Sequence, residues 1–246
     1  MNQRVGGQLR ELQVELSAGG EPPALVGEIA AGRAPLAVLA ELAAQQQRII
    51  GSDRRSLLLL ATRCADRPLG TWYTTVAEGE SAALRTLPAF AAACGPNREQ
   101  AAARPPLPGC QAYPAYLAWL ALNGRPDAVV AALLANFTDW GGYCATVADA
   151  LRRHHGFSDE ACAFFDFFAQ PATELAQQAA EALGEDGLDG PALAAAREYG
   201  GMLQAYERLF WDTLAASDQA HPEPPRHTMV NTGPATAASP RQPPLT

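Results

Sequence analysis

The chain has 246 residues, 48% of them apolar and 18% charged, which excludes a disordered or solvating polymer and leaves enough length for one large buried core or two small ones. Its 18 basic residues, all arginine, face 26 acidic ones for a formal net charge of -8. That balance supplies no basic stripe for nucleic acid or an anionic membrane surface, and the absence of lysine excludes a Schiff-base lysine.

The opening residues, MNQRVGGQLRELQVEL, read as an amphipathic lead helix within residues 1–20 and lack the uninterrupted apolar run of a secretion signal. Glycine and proline then punctuate a series of helical patterns with no convincing alternating strand. A short helix over about 23–31 stops at Gly32, before Pro35, and a long one follows over about 35–66. The next covers about 69–94, ending at Cys94-Gly95-Pro96, and an irregular ARPPLPGC stretch leads into a helix over about 111–122. Pro126 suits a first helical turn and opens a helix running to about His155-Gly156. Ser158 starts another, carrying Phe164, Phe165, Phe167 and Phe168; Pro171 restarts the chain, and the last long helix covers about 191–216. Residues 218–246 are rich in Pro, Thr and Ser and read as a disordered tail. The fold class is all-α: one bundle of about eight helices over residues 21–217, with no segment of about 18 apolar residues to span a membrane.

Polar residues interrupt three apolar stripes. Asp53 lies between Ile50, Leu57 and Leu60; Glu207 lies between Leu203, Phe210 and Leu214; Glu80 lies between Tyr73, Val76, Leu84 and Leu87. A carboxylate on such a face pairs with a cation, holds its proton or serves chemistry. Arg54, Arg55 and Arg208 are adjacent and offer the pairing alternative, and Met202, Tyr206, Leu209 and Thr213 form a stripe competing with that of Glu207. Around ANFTDWGGYCATVADAL, Asn136 and Trp140 share a face, and Gly141-Gly142 either admit a neighbouring helix or clear room for a ligand. The aromatics Tyr113, Tyr116 and Trp119 are either core or the wall of an apolar pocket. The five cysteines, at 64, 94, 110, 144 and 162, show no paired spacing, which implies reduced, cytoplasmic thiols. His154, His155, His221 and His227 form no metal-binding spacing, so neither a metal nor another cofactor is expected; an all-carboxylate iron site from Asp53, Glu80 and Glu207 would lack the usual Glu-x-x-His pairs.

The ordered segments ALVGEIAAGRAPLAVLAELAAQQQRIIGSDRRSLLLLA, VAEGESAALRTLPAFAAACG, YPAYLAWLALNG, AVVAALLANFTDWGGY, ACAFFDFFAQP and LQAYERLFWDTL together resemble the TenA/thiaminase II family, related to PqqC and built on the haem-oxygenase-like helical fold. The resemblance spans about residues 21–216, with YERLFW its most telling piece. It implies that Glu207 is the family's acid/base glutamate at the substrate amino group and Asp53 the aspartate that contacts the aminopyrimidine. The nucleophilic cysteine of the family's Leu-Leu-Pro-Cys sequence falls on Asn136, after Leu133, Leu134 and Ala135, so it is missing. Trp140, Phe168 and Ser56 stand where the family has tyrosines, and Tyr113 keeps one pocket tyrosine. Tyr206 and Glu80 join Tyr113, Asn136, Trp140 and Phe168 as substrate-contact candidates. Losing the thiolate removes covalent attack and losing hydroxyls selects a greasier ligand, so ordinary thiaminase II activity is not expected. Three functions follow from the resemblance: an enzyme using Glu207 and Asp53 for hydrolysis or cofactor-free oxidation, a non-catalytic binding or regulatory protein, or a non-haem iron oxidase. In each the partner is a small molecule, and the protein is a homo-oligomer.

Overall fold

The computed structural model describes residues 3–17, 20–95, 100 and 103–220, with side chains up to residue 217. Among them are nine α-helices and no strand: α1 (Gln3–Ser17), α2 (Ala24–Ala30), α3 (Leu36–Arg63), α4 (Pro68–Ala93), α5 (Pro108–Asn123), α6 (Pro126–Ala150), α7 (Asp159–Ala169), α8 (Thr173–Ala182) and α9 (Gly190–Ala220). The expected tail lies almost wholly outside the described residues.

Local chemistry sets the helix starts. Pro68, Pro108 and Pro126 occupy first turns, where the missing N–H has no intrahelical acceptor to lose. The Ser158 hydroxyl accepts from the Ala161 N–H to cap α7, and the Asp189 carboxylate accepts from Ala192 N–H at 2.7 Å to open α9. Helix α5 begins at Pro108, earlier than position 111, because the proline rather than the preceding loop fixes its first turn. The helix expected to run unbroken to His155 changes at Leu151 into a π-helical turn, Leu151–His155, closed by Gly156 at φ 65°.

The long helices α3, α4, α6 and α9 share two hydrophobic clusters. One joins α1 and α8 to Leu57, Leu60, Trp72, Tyr73, Leu134 and Leu203; the other joins α2 and α7 to Ile50, Leu87, Phe90, Cys144 and Phe210. The lead helix α1 is part of the first cluster through Val5, Leu9 and Leu12 and packs on α6 and α8. Each of the four long helices thus buries one half in one cluster and the other half in the second. Between the halves lies a belt of polar residues, and the site occupies it.

Of the two glycines in α6, Gly141 answers the close-packing alternative: a Cβ there would meet the Phe168 carbonyl oxygen at 2.9 Å, while a Cβ on Gly142 would meet nothing within 4 Å. Gly141→Ala is expected to destabilise the fold by about 1–3 kcal/mol because backbone must move. Gly142→Ala is expected to stabilise it by about 0.5–1 kcal/mol through helix propensity. Urea unfolding of the two variants checks the opposite signs.

Candidate functional site

The belt encloses a cavity of about 70 Å³ lined by Gln46, Ile49, Ile50 and Asp53 from α3, Glu80 from α4, Tyr113 from α5, Asn136, Phe137 and Trp140 from α6, Phe168 from α7, and Glu207 and Phe210 from α9. Asp53, Glu80, Tyr113, Asn136, Trp140, Phe168 and Glu207, assembled from six helices, therefore meet in one space. The stripe through Leu203, Glu207, Phe210 and Leu214 faces inward, while Met202 and Leu209 of the competing stripe are exposed. Tyr206 does not reach the cavity. It sits about 100° around the helix from Glu207, and its ring packs on Tyr116 at 5.4 Å. Gln46, Ile49, Phe137 and Phe210 also line the space, though the sequence does not mark them as site residues. Gln46 continues the Ile50–Asp53 stripe back by one turn, a signal present in the sequence; the apolar three read equally well as core.

A short hydrogen-bond relay crosses the cavity wall. The Tyr113 hydroxyl donates to Asn136 Oδ1 at 2.8 Å, and Asn136 Nδ2 donates to Glu207 Oε2 at 2.5 Å. Asn136 thus clamps the glutamate and ties it to Tyr113. The second oxygen of Glu207, Oε1, is buried without a hydrogen-bond partner, as is Oδ1 of Asp53. None of Asp53, Glu80 and Glu207 forms an ion pair among the described residues: Arg54 donates to Ser81, and Arg208 donates to the Glu21 carbonyl.

Burial therefore governs their titration. It pushes Glu207 up to about 7, opposed by the Asn136 hydrogen bond and by the Trp211 indole, whose Nε1–H lies outside hydrogen-bonding geometry. Asp139 adds to the rise and Arg208 opposes it. Asp139 is held across the back of Glu207 by Ser17 and Gln204 at 2.8 and 3.0 Å. Burial raises Asp53 well above the usual carboxylate range, Glu80 adds repulsion, and Arg55 offsets a part; burial alone lifts Glu80 to about 8. Removing the Asn136 amide in Asn136→Ala is expected to raise the Glu207 pKa further, by about one to two pH units, since a hydrogen bond to the ionised form is lost. A carbon-13 NMR titration of the Glu207 carboxyl reads it directly.

Aromatic rings wall the rest: Trp140 meets Phe168, Phe210 and Trp211 with centroids 6.0, 6.2 and 5.6 Å apart. Cys144 is buried in the second cluster outside the cavity lining, and burial raises its thiol well above the ordinary range, which leaves it unsuited to attack. Ser56 is turned to the Ser52 carbonyl. Among the described residues no three of His, Cys, Asp and Glu are placed to hold one metal ion, so the three acids do not fit a carboxylate iron centre. No helix among them is long and apolar enough to cross a membrane.

Known structures show the same arrangement of helices. A domain of unknown function with a haem oxygenase-like fold from Shewanella denitrificans OS217 superposes with a TM-score of 0.71 at 16% identity, covering 88% of this chain and 93% of that one. A TenA homologue from P. horikoshii OT3 gives 0.62 at 15% identity over 86% and 96%, and a TenA homologue from Pseudomonas syringae pv. tomato DC3000 gives 0.65 at 11% over 87% and 92%. No curated protein matches the sequence significantly. These likenesses carry the haem-oxygenase-like fold; the family itself follows from the sequence. The model of the TENA/THI-4/PQQC family matches residues 24–217, and with the helical bundle around it this chain belongs to that family.

Proposed function

We propose that the protein binds a small, partly apolar molecule carrying a basic nitrogen, and that Glu207 exchanges a proton with it while Asp53 holds its cationic group. One observation carries the reading: two buried carboxyl groups, each with an oxygen that no protein group satisfies, line an otherwise mainly apolar cavity with no basic side chain in its lining. A protonated nitrogen would satisfy both oxygens and offset the cost of ionising them. Glu207, up at about 7, divides its population between acid and base near neutral pH, which suits proton transfer in either direction. Because a carboxamide is no nucleophile, Asn136 directs the chemistry away from a covalent intermediate. The supported reaction is a direct one, either hydrolysis, in which water takes the place of the leaving group, or a cofactor-free oxidation in which Glu207 removes a proton and dioxygen takes up the electron pair.

A binding protein without turnover is the second reading, favoured by the same replacement of the thiolate by an amide that occupies Glu207. Mass spectrometry of the molecule that co-purifies with the native protein identifies the ligand, and incubation with fresh protein separates the readings. A ligand returned unchanged after prolonged incubation removes the enzyme and leaves the binder. A cytoplasmic, homo-oligomeric protein belongs to the same proposal, supported by five free, buried cysteines for the compartment and by the family for the assembly.

A further inference from the structure

The cavity at the carboxyl groups is small. Its volume of about 70 Å³ lies far below the range of about 300–1,000 Å³ occupied by pockets for drug-sized ligands. A second space of about 630 Å³ lies beside it between α4, α7, the α7–α8 turn and α8. Glu80, Phe137, Trp140 and Phe168 line both. The outer groove continues from those four side chains past Val76 and Phe167 to Leu175, and is edged by Thr75, Gln178 and Glu174. Neither space has an arginine or histidine in its lining, while four carboxyl groups, Asp53, Glu80, Glu207 and Glu174, face one or both.

Size, polarity and charge then select a ligand shape. A phosphate or carboxylate head finds no cation, and a compact molecule leaves the larger, apolar space unfilled. We infer that the ligand is an elongated cationic amphiphile, its amine held by Glu207 and Asp53 in the inner cavity and its apolar chain laid along the outer groove. The inference rests on the proposed role of the two carboxyl groups as the cation's partners and adds the second half of the molecule. Phe137 and Phe168 form the neck, and Glu80, lining both spaces, keeps the neck acidic.

A series of n-alkylamines from butylamine to dodecylamine, each below its micelle-forming concentration, tests it by calorimetric titration of the full chain. Each methylene laid into the groove is expected to tighten binding by about fourfold at most, so octylamine should bind up to about 250-fold more tightly than butylamine. Two separate plugs, Gly79→Trp and Gln178→Trp, both on the groove's lining, are expected to flatten this dependence without changing butylamine affinity. Using both guards against a folding defect in either, and neither position belongs to the inner cavity. Butylamine binding with an affinity that ignores chain length, or a length dependence that survives both plugs, overturns the amphiphile and leaves the carboxyl reading standing. No amine binding in the parent protein overturns the carboxyl reading, and the amphiphile with it.

Discussion

Glu207→Gln is expected to lower turnover of the native ligand by about 10²- to 10⁴-fold, the usual contribution of one positioned acid or base. Glutamine has the same shape and its carbonyl can still accept from Asn136 Nδ2, so the relay from Tyr113 and the surrounding packing survive. What disappears is the titrating proton. The side-chain amide would also turn its N–H groups toward the cavity, where a cation is expected, so affinity falls as well. Single-turnover rates measured apart from dissociation constants separate the two effects. The pH dependence gives a further sign: the parent rate is expected to bend near pH 7, where Glu207 titrates, and the residual rate of the variant to show no such bend. An unchanged rate in the variant would remove Glu207 from the chemistry altogether.

The largest effect on stability is expected from pH. In the unfolded chain the carboxyl groups of Asp53, Glu80 and Glu207 titrate near pH 4. In the fold burial holds Glu207 at about 7, Glu80 at about 8 and Asp53 well above its ordinary range. Below about pH 4 both states are protonated and the three groups make no difference. As the pH rises from 4 toward 8 the unfolded chain releases protons that the folded chain keeps, so stability falls through that window by up to about 1.4 kcal/mol per pH unit for each group. Above the folded values the loss is complete. Asp53 and Glu80 repel one another, so their effects do not add simply. Asp127 works in the opposite sense at the acid end: hydrogen bonds from Arg125 and Ala128 outweigh its burial and depress it, so its support is lost as the pH falls through that lowered value. Urea midpoints are therefore expected to be higher near pH 5 than near pH 8.5. Asp53→Asn with Glu80→Gln should stabilise the protein at pH 8.5, flatten the profile and weaken amine binding, the usual opposition between stability and function. A profile rising from pH 5 to 8.5 would contradict the burial of these groups as neutral acids.

Much of the architecture can be read from residues with one strong physical role. Pro126 and Ser158 mark helix starts because a missing N–H or a capping hydroxyl suits few other places. Asp53 and Glu207 are legible as inward-facing because a carboxyl group breaks an apolar stripe, whereas Phe137 and Phe210 do not break one and so blend into the core. Tyr206 shows the converse. Its neighbourhood with Glu207 in YERLFW is linear, but a helix turns adjacent residues to different faces, and the tyrosine packs on Tyr116. The clamp of Asn136 on Glu207 joins α6 to α9 across 71 positions, a distance at which no spacing rule operates. The change to a π turn at Leu151 has no sequence signal that we can identify.

A body made of two oily blocks with an acidic seam has a built-in plane of weakness. Along that plane each long helix carries groups that gain little from being sealed together, so opening there would admit a guest while both blocks stay intact. A bound cation would act as a rivet, slowing hydrogen exchange of amides flanking residues 53, 80, 136 and 207 far more than of those deep in either block.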